Sequence, residues 1–282
     1  MNILFWNINK NRGVFPCLCD IVKSEAIDIL LLAEFPYLDE NGQEKDYKDQ
    51  LLKQLRSVSG VNFKYNLSTK KRVEVFYNSV TTYMEGIKDE ARLSGSKVNS
   101  VGGSVKVSLV FFHLPSKVNY DSNEQSEKAE EYRKAIEDYE DVHQQDHLTV
   151  VCGDFNMNPF EQGMVKAKGF HSVMEESIAN QTVRKIEGNE YRFFYNPMWG
   201  FFGDTGKGKV SGTHYFRDNR NILYFWNLYD QVLVRPEALK YFDKDALTIL
   251  TEKSDCYNLL TVNGIIDKKY SDHLPIKFKL NI

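Results

Sequence analysis

The apolar positions of this chain fall into short runs rich in β-branched and aromatic residues, at 2–7, 27–33, 72–77, 105–113, 148–152, 229–234 and 275–280. Runs of this length and composition, bounded by polar and turn-forming residues, predict β-strands. Between them the period changes. From 122 to 144, Ala129, Tyr132, Ile136, Tyr139 and Val142 step by three or four, the spacing of one helix face. Ser122 with Gln125 offers a capping box, and Glu124/Lys128 and Glu130/Lys134 make i,i+4 pairs on the wet side. This pattern predicts a helix lying on a sheet. A second helix is predicted over 46–57, where Tyr47, Leu51, Leu55 and Val58 form one stripe and Ser59-Gly60 end it. The stretch 193–221, FFYNPMWGFFGDTGKGKVSGTHYFRDNRN, has no sustained period and reads as a long loop, either functional or tucked on the core. No repeat, low-complexity tract or linker divides the 282 residues, so strands and helices are expected to share one core in a single α/β (α+β) domain over 1–282.

Composition narrows the function classes. With 36 basic against 39 acidic residues the net charge is −3, so no global positive field draws in nucleic acid or an anionic membrane, and any polyanion binding must be local. The start, MNILFWNINKNRG, is not a basic segment followed by an apolar one, and the aliphatic run at 29–33 is far too short to span a bilayer. The expectation is a cytoplasmic chain beginning near Met1, with no membrane segment and no obligate protein partner. The cysteines at 17 and 19 are too close for a zinc knuckle and lack a second pair; with those at 152 and 256 they are expected to be buried or half-buried thiols.

The chemistry gathers where the apolar runs end. The first closes in Trp6-Asn7-Ile8-Asn9, and the second in Glu34. The run at 105–113 closes in His113 and continues LeuProSerLys. VVCGDFNMNP, at 150–159, delivers Asp154 and Asn156 two residues apart. If the strand continues through them, both point one way, Phe155 points to the core, and Gly153 permits a close approach of backbone or ligand. Asp230 opens the run at 229–234, and Ser271-Asp272-His273 precedes the last. Each alone reads equally as a turn former or a satisfied histidine. As a set at strand ends they suggest an active site, and oxygen ligands without cysteine suit a hard cation such as Mg²⁺ or Mn²⁺.

The ordered motifs WN-x-N, AEF, HLPSK, GDFN, YDQVLV and SDH, running from Asn7 to His273, resemble the endonuclease/exonuclease/phosphatase superfamily. The resemblance implies a four-layer α/β sandwich, two mixed sheets face to face with helices outside, and a metal-dependent phosphodiesterase. It implies Glu34 and Asp272 as metal ligands with Asn9 near the same Mg²⁺ or Mn²⁺. Asp154 would orient or deprotonate the attacking water, steadied by Asn7, and Asn156 would hold a phosphate oxygen. His273 paired with Asp230 would polarise the phosphate, and His113 would contact a phosphate oxygen or the leaving side. Several family nucleases have Asp where Asn9 stands; a neutral ligand there implies weaker metal binding.

The fold does not fix the substrate. For DNA or RNA, Lys10, Arg12, Lys117, Lys207, Lys209, Arg217 and Arg220 could line a local basic track, with Trp199, Tyr215 and Trp226 stacking on bases. A lipid or inositol phosphate head group, or a small nucleotide, is the alternative substrate. A binding module without turnover is the alternative from another class, although none of Glu34, Asp154 and His273 is replaced.

Overall fold

A computed structural model of the chain describes every residue except 40, 69–71, 91, 92, 144 and 220. In chain order the strands that carry the architecture are β1 (Asn2–Asn7), β2 (Ile29–Ala33), β3 (Phe63–Asn66), β4 (Val73–Asn78), β5 (Ser94–Ser100), β6 (Val107–His113), β7 (Thr149–Asp154), β8 (His214–Tyr215), β9 (Trp226–Asn227), β10 (Asp230–Val234), β11 (Phe242–Ile249) and β12 (Ile276–Leu280). The main helices are α1 (Phe15–Ser24), α2 (Lys48–Ser59) and α3 (Ser122–His143). One sheet has the order β11-β12-β1-β2-β4-β3. The other runs from the short strands Ser172–Val173 and Phe194–Tyr195 through β10-β7-β6-β5 to Thr82–Met84.

Each sheet is built on a central parallel pair, β1 with β2 and β6 with β7. Parallel neighbours need a crossover connection, which α1 and α3 supply. This topology positions the site. Parallel strands finish at the same edge, and a strand antiparallel to them starts there, so the ends of β1, β2, β6 and β7 meet the beginnings of β10 and β12.

The period of two sorts the second sheet. Val107, Leu109 and Phe111 of β6, Val150 and Cys152 of β7, and Val232 and Val234 of β10 join a core with β1, β2, β4 and β12. The alternate residues Val110, Phe112, Val151 and Leu233 pack with Ala129, Tyr132, Ile136 and Tyr139 of α3. Leu18, Ile21 and Val22 of α1, with Leu51 and Leu55 of α2, cover the first sheet. The layers are therefore helix, sheet, sheet, helix, the sandwich that the family resemblance implies.

Several local expectations shift. Asp121, not Ser122, caps α3: its Oδ1 accepts from the amides of Asn123 and Glu124 at 2.8 and 2.9 Å, and Glu124 reaches back to the Asp121 amide at 2.7 Å. The box sits one residue earlier because Asp121 with Glu124 satisfies the free amides with charged oxygens. The buried stripe of α3 continues Ile136, Tyr139, Glu140, so the inward position falls to Glu140 and Val142 is exposed. The surface pairs are Lys128–Glu131 and Lys166–Glu130 instead of those expected. Gln144, the last residue of the expected helix, and Arg220 lie outside the described residues. α2 ends as expected at Gly60, whose φ of 68° is the left-handed helix stop. The cysteines are free thiols, with Cys17 and Cys19 pushed up to about 12 by burial, but Cys256 is exposed, in the turn between Glu252–Lys253 and Tyr257–Asn258. Among the described residues no helix is long and apolar enough to cross a membrane.

Gly153 holds the parallel pair together. A Cβ there would stand 2.3 Å from the carbonyl oxygen of Phe112, its register partner on β6. The close approach is to backbone, which cannot swing aside. Gly153→Ala should therefore destabilise the protein by about 1–3 kcal/mol, read as a lower urea midpoint, and should displace the neighbouring Asp154.

Candidate active site

At the shared edge, His113, Asp154 and Asp230 lie in register across β6, β7 and β10. They have the same parity as Phe111, Cys152 and Val232, so they face the opposite sheet. Across the gap, Asn7 at the end of β1 donates from Nδ2 to Glu34 Oε1 and to Asp154 Oδ2, each at 3.1 Å. One buried amide thus ties the two sheets together through two carboxylates. His113 Nε2 lies 3.5 Å from Asp154 Oδ2 and 3.7 Å from Glu34 Oε1.

His273 enters from the segment leading into β12. Its carbonyl accepts from Trp6 Nε1 at 2.8 Å, and its amide donates to Ser271 Oγ, which donates in turn to the Asn7 carbonyl at 2.7 Å. The ring bridges two acids, with Nδ1 2.8 Å from Asp230 Oδ2 and Nε2 3.9 Å from Asp154 Oδ2. Burial alone would lower its pKa, but Asp230 and Asp154 outweigh burial and hold the imidazole well above its ordinary range. Burial pushes Asp230 upward, against the attraction of His273.

The chain turns sharply around these groups. Glu34, Asn9 and Asn156 take φ of 49°, 47° and 50°, the left-handed region that residues other than glycine rarely adopt. Here the structure departs from the alternation read along the sequence. β7 ends at Asp154; Asn156 then folds back so that its amide N–H reaches Asp154 Oδ1 at 2.8 Å and its Nδ2 reaches the Leu114 carbonyl at 2.9 Å. Asn156 still lines the cavity, but by a turn instead of a strand face. Phe155 packs with Phe112 and Phe170 at 4.9 and 5.0 Å, the core anchor expected. Likewise Asn7 and Asn9 do not share a face: β1 stops at Asn7, which is buried, and Asn9 is exposed, giving its amide N–H to Asn7 Oδ1.

Glu34, His113, Asp154, Asn156, Asp272 and His273 line one cavity of about 330 Å³. Its wall also contains His214, Phe216, Tyr229 and Lys268, which the sequence reading passed over. His214 lies 4.7 Å from His273 ring to ring and is pushed down to about 4 by burial, with the His273 charge adding to the effect. The ribbon of β8 and β9 explains the omission. Its alternation sets His214 and Phe216 toward the cavity and turns Tyr215 and Trp226 back on the core, where their rings meet at 5.1 Å. The isolated His in GTHYF was the available signal.

The structure does not bring the expected substrate-binding set together at the cavity wall. Tyr215 and Trp226 do not line the cavity, because a strand presents alternate residues to opposite sides. Trp199 packs against Phe160 and Phe202 at 6.4 and 5.8 Å, away from the cavity wall. Lys10, Arg12 and Arg217 are exposed and outside the lining, with Arg12 drawn to the Tyr47 ring at 5.7 Å. Lys117 lines the cavity but is paired with Glu161. Lys207 reaches the Lys244 carbonyl and Lys209 the Glu252 carboxylate, so neither forms a track at the site.

The donor set fits a hard divalent cation. Glu34 and Asp272 are half-buried carboxylates in the cavity wall, and among the described residues nothing hydrogen-bonds to Glu34 Oε2 or Asp272 Oδ2. Two groups bring possible ligand atoms within 4.8 Å of one another, His214/Asp272/His273 and Asp154/Asp230/His273. In the second, His273 Nδ1 is committed to Asp230, which makes it a carboxylate–imidazole pair more than a cage for an ion.

The sheet-on-sheet frame thus gathers acids, imidazoles and amides on one small cavity. The chain belongs to the endonuclease/exonuclease/phosphatase family, whose profile matches residues 4–273. Its members are hydrolytic phosphoesterases that depend on a divalent metal. Among solved structures it is similar to a mannosyl-6-phosphatase of Bacteroides thetaiotaomicron, at 13% identity and TM-score 0.59 over 99% of each chain. It is also similar to D. rerio TDP2 complexed with single-strand DNA product, at 18% identity and TM-score 0.54 over 100% of this chain and 99% of that one. The human Nocturnin catalytic domain with bound sulfate gives 12% identity and TM-score 0.55 over 99% and 93%. At these identities the likeness is one of fold. No curated protein matches the sequence.

Proposed function

We propose that the protein is a Mg²⁺- or Mn²⁺-dependent phosphodiesterase that cleaves a nucleotide or a single-stranded nucleic acid by in-line attack of water. The observation that carries this reading is the buried Asp154 carboxylate, held by Asn7 and Asn156 and facing the cavity between His113 and His273. Glu34 and Asp272 would hold the cation, with the exposed Asn9 as a further candidate ligand, and the cation would supply neutralisation of charge developing on the phosphate oxygens. Asp154 accepts the proton of the attacking water. His273, kept protonated by Asp230, donates to a nonbridging oxygen, and that leaves Asp154 as the base. Asn156 and His113 add further donors to the phosphate.

Among the described residues no basic track is assembled around the cavity, which argues against a long duplex, since that would need many phosphate contacts. A head-group phosphatase is the second reading, favoured by the modest size of the cavity. A panel of single- and double-stranded nucleic acids, nucleotides, inositol phosphates and sugar phosphates, assayed with Mg²⁺, Mn²⁺ and excess chelator, separates them. Single strands or nucleotides should be cleaved best and the chelator should abolish turnover; an inert panel sinks the proposal.

The His273–Asp230 assignment has its own test. In Asp230→Asn the burial that disfavours imidazolium remains while its main counter-charge is gone, so the His273 pKa should fall. The basic limb of the kcat/KM profile should move to lower pH by more than about one unit. An unmoved limb would show that His273 does not act as the protonated donor.

A further inference from the structure

A second groove, about 500 Å³, adjoins the catalytic cavity, and Lys117, Phe216 and Tyr229 stand in the walls of both. Phe160 and Tyr224 form another part of its lining, and their rings meet at 5.2 Å edge to face. Both remain open to solvent, at 37% and 54%. Phe160 is supported from behind by Trp199 and Phe202, so its position is fixed by packing. Clustered aromatic rings left exposed beside a polar active site mark a place for a ligand.

The lining selects the kind of ligand. Lys117 is neutralised by Glu161, which makes the groove a poor seat for a second phosphate. An acyl chain would strip water from the Lys117–Glu161 ion pair and the Asn227 side chain in the groove wall and offer them no hydrogen bond in return. A monosaccharide can lay a C–H face on one ring but brings no planar edge, so it is the competing occupant in the test below. A planar heteroaromatic ring offers both a face for stacking and an edge for hydrogen bonds.

Resting on the phosphodiesterase reading, we infer that this groove is a nucleobase subsite: one of the Phe160 and Tyr224 rings stacks on, and the other meets edge-on, the base of the nucleotide whose phosphate occupies the catalytic cavity. The groove and cavity share Lys117, Phe216 and Tyr229 in their walls, which sets the base and phosphate positions of one nucleotide side by side. Specificity then comes from the base as much as from the phosphate, and the protein selects nucleotides and unpaired strands, in which the base is free to enter.

Calorimetric titration of the Asp154→Asn variant with Mg²⁺ tests this, using nucleoside 5′-monophosphates against ribose 5-phosphate and mannose 6-phosphate. The base should tighten binding by about tenfold or more over ribose 5-phosphate. Adding Phe160→Ala and Tyr224→Ala should remove that gain and leave the affinity for ribose 5-phosphate unchanged. Both rings are at the surface, and an unaltered circular dichroism melt confirms folding. Equal affinity with and without the base, a gain that survives the double substitution, or tighter binding of mannose 6-phosphate overturns the subsite. If wild type cleaves phosphodiesters while the base gives no gain, only the subsite falls. If no phosphate ligand binds and no ester is cleaved, the catalytic reading falls with it.

Discussion

Replacing Asp154 with Asn is expected to lower metal-dependent phosphodiester hydrolysis by about 10²- to 10⁴-fold, the range for loss of a positioned general base. Shape is kept: Oδ1 of the new amide still accepts the Asn156 N–H, which the native carboxylate receives at 2.8 Å. Charge and proton affinity are lost. At the other position an NH₂ group would meet Asn7 Nδ2, so two donors would face each other where a donor now meets a carboxylate at 3.1 Å. Asn7 also holds Glu34, and its displacement would loosen the proposed metal ligand. The effect should therefore fall on kcat and also raise the metal concentration needed for half-maximal rate. Stability should change little, because removing a charge from a site exposed by only 1% offsets the weakened hydrogen bonds. Single-turnover rates over a Mg²⁺ series, beside thermal melts, measure both. A variant within tenfold of wild type would remove Asp154 from the role of base.

What the sequence disclosed follows from where each residue sits. Groups at the ends of regular strands were legible, because the period of two fixes their direction and the parallel pairs bring the ends to one edge. His113, Asp154 and Asp230 belong to this class, whereas Glu34 lies one residue past β2 with a left-handed φ of 49°. Asn9 and Asn156 follow left-handed turns, which the alternation of a strand does not describe. Tyr215 and Trp226, expected at the substrate, lie off the cavity wall for a different reason: in a short ribbon a shift of one residue exchanges the two faces, and aromatic content alone does not set the phase. Cations on loops, such as Lys268 in the wall and Arg12 outside it, carry no periodicity at all. The fold shows the same division. The apolar strands were found with boundaries displaced by one or two residues. β5, with the sequence SGSKVNS, owes its extended form to pairing with β6, since its own residues have little strand preference. α1 is not apparent in the sequence because its ten residues are too few for the stripe of Leu18, Ile21 and Val22 to show a sustained period. β11 carries an irregular register between Asp243 and Thr248 that interrupts its alternation.

The largest stability effect is expected far from the chemistry, at Arg235. Its Nε and Nη2 donate to the two oxygens of Glu140 at 2.9 and 2.8 Å, Nη1 donates to the Phe193 carbonyl at 3.2 Å, and the guanidinium lies 3.8 Å from the Phe194 ring centroid. Both partners have no exposed surface. The pair joins the residue following β10 to α3 and to the chain entering the Phe194–Tyr195 strand. Removing one partner leaves the other as an uncompensated buried charge, so Arg235→Met alone should cost about 3–5 kcal/mol. Replacing both together, Arg235→Met with Glu140→Leu, should cost much less, because neither charge is then desolvated. Acid separates the two proteins further. Burial by itself would raise the Glu140 pKa, but the Arg235 charge outweighs it and lowers the value from 4.5 to about 2. A carboxylate depressed on folding contributes stability that is fully present above about 4.5 and lost as pH falls toward about 2. That contribution is on the order of 3 kcal/mol at about 1.4 kcal/mol per pH unit. Urea midpoints of wild type should fall steeply across this window, while the double variant lacks that component and gains relative to wild type as the solution is acidified. Parallel curves for the two proteins between pH 5 and pH 2 would mean that Glu140 is not the group whose protonation loosens this fold.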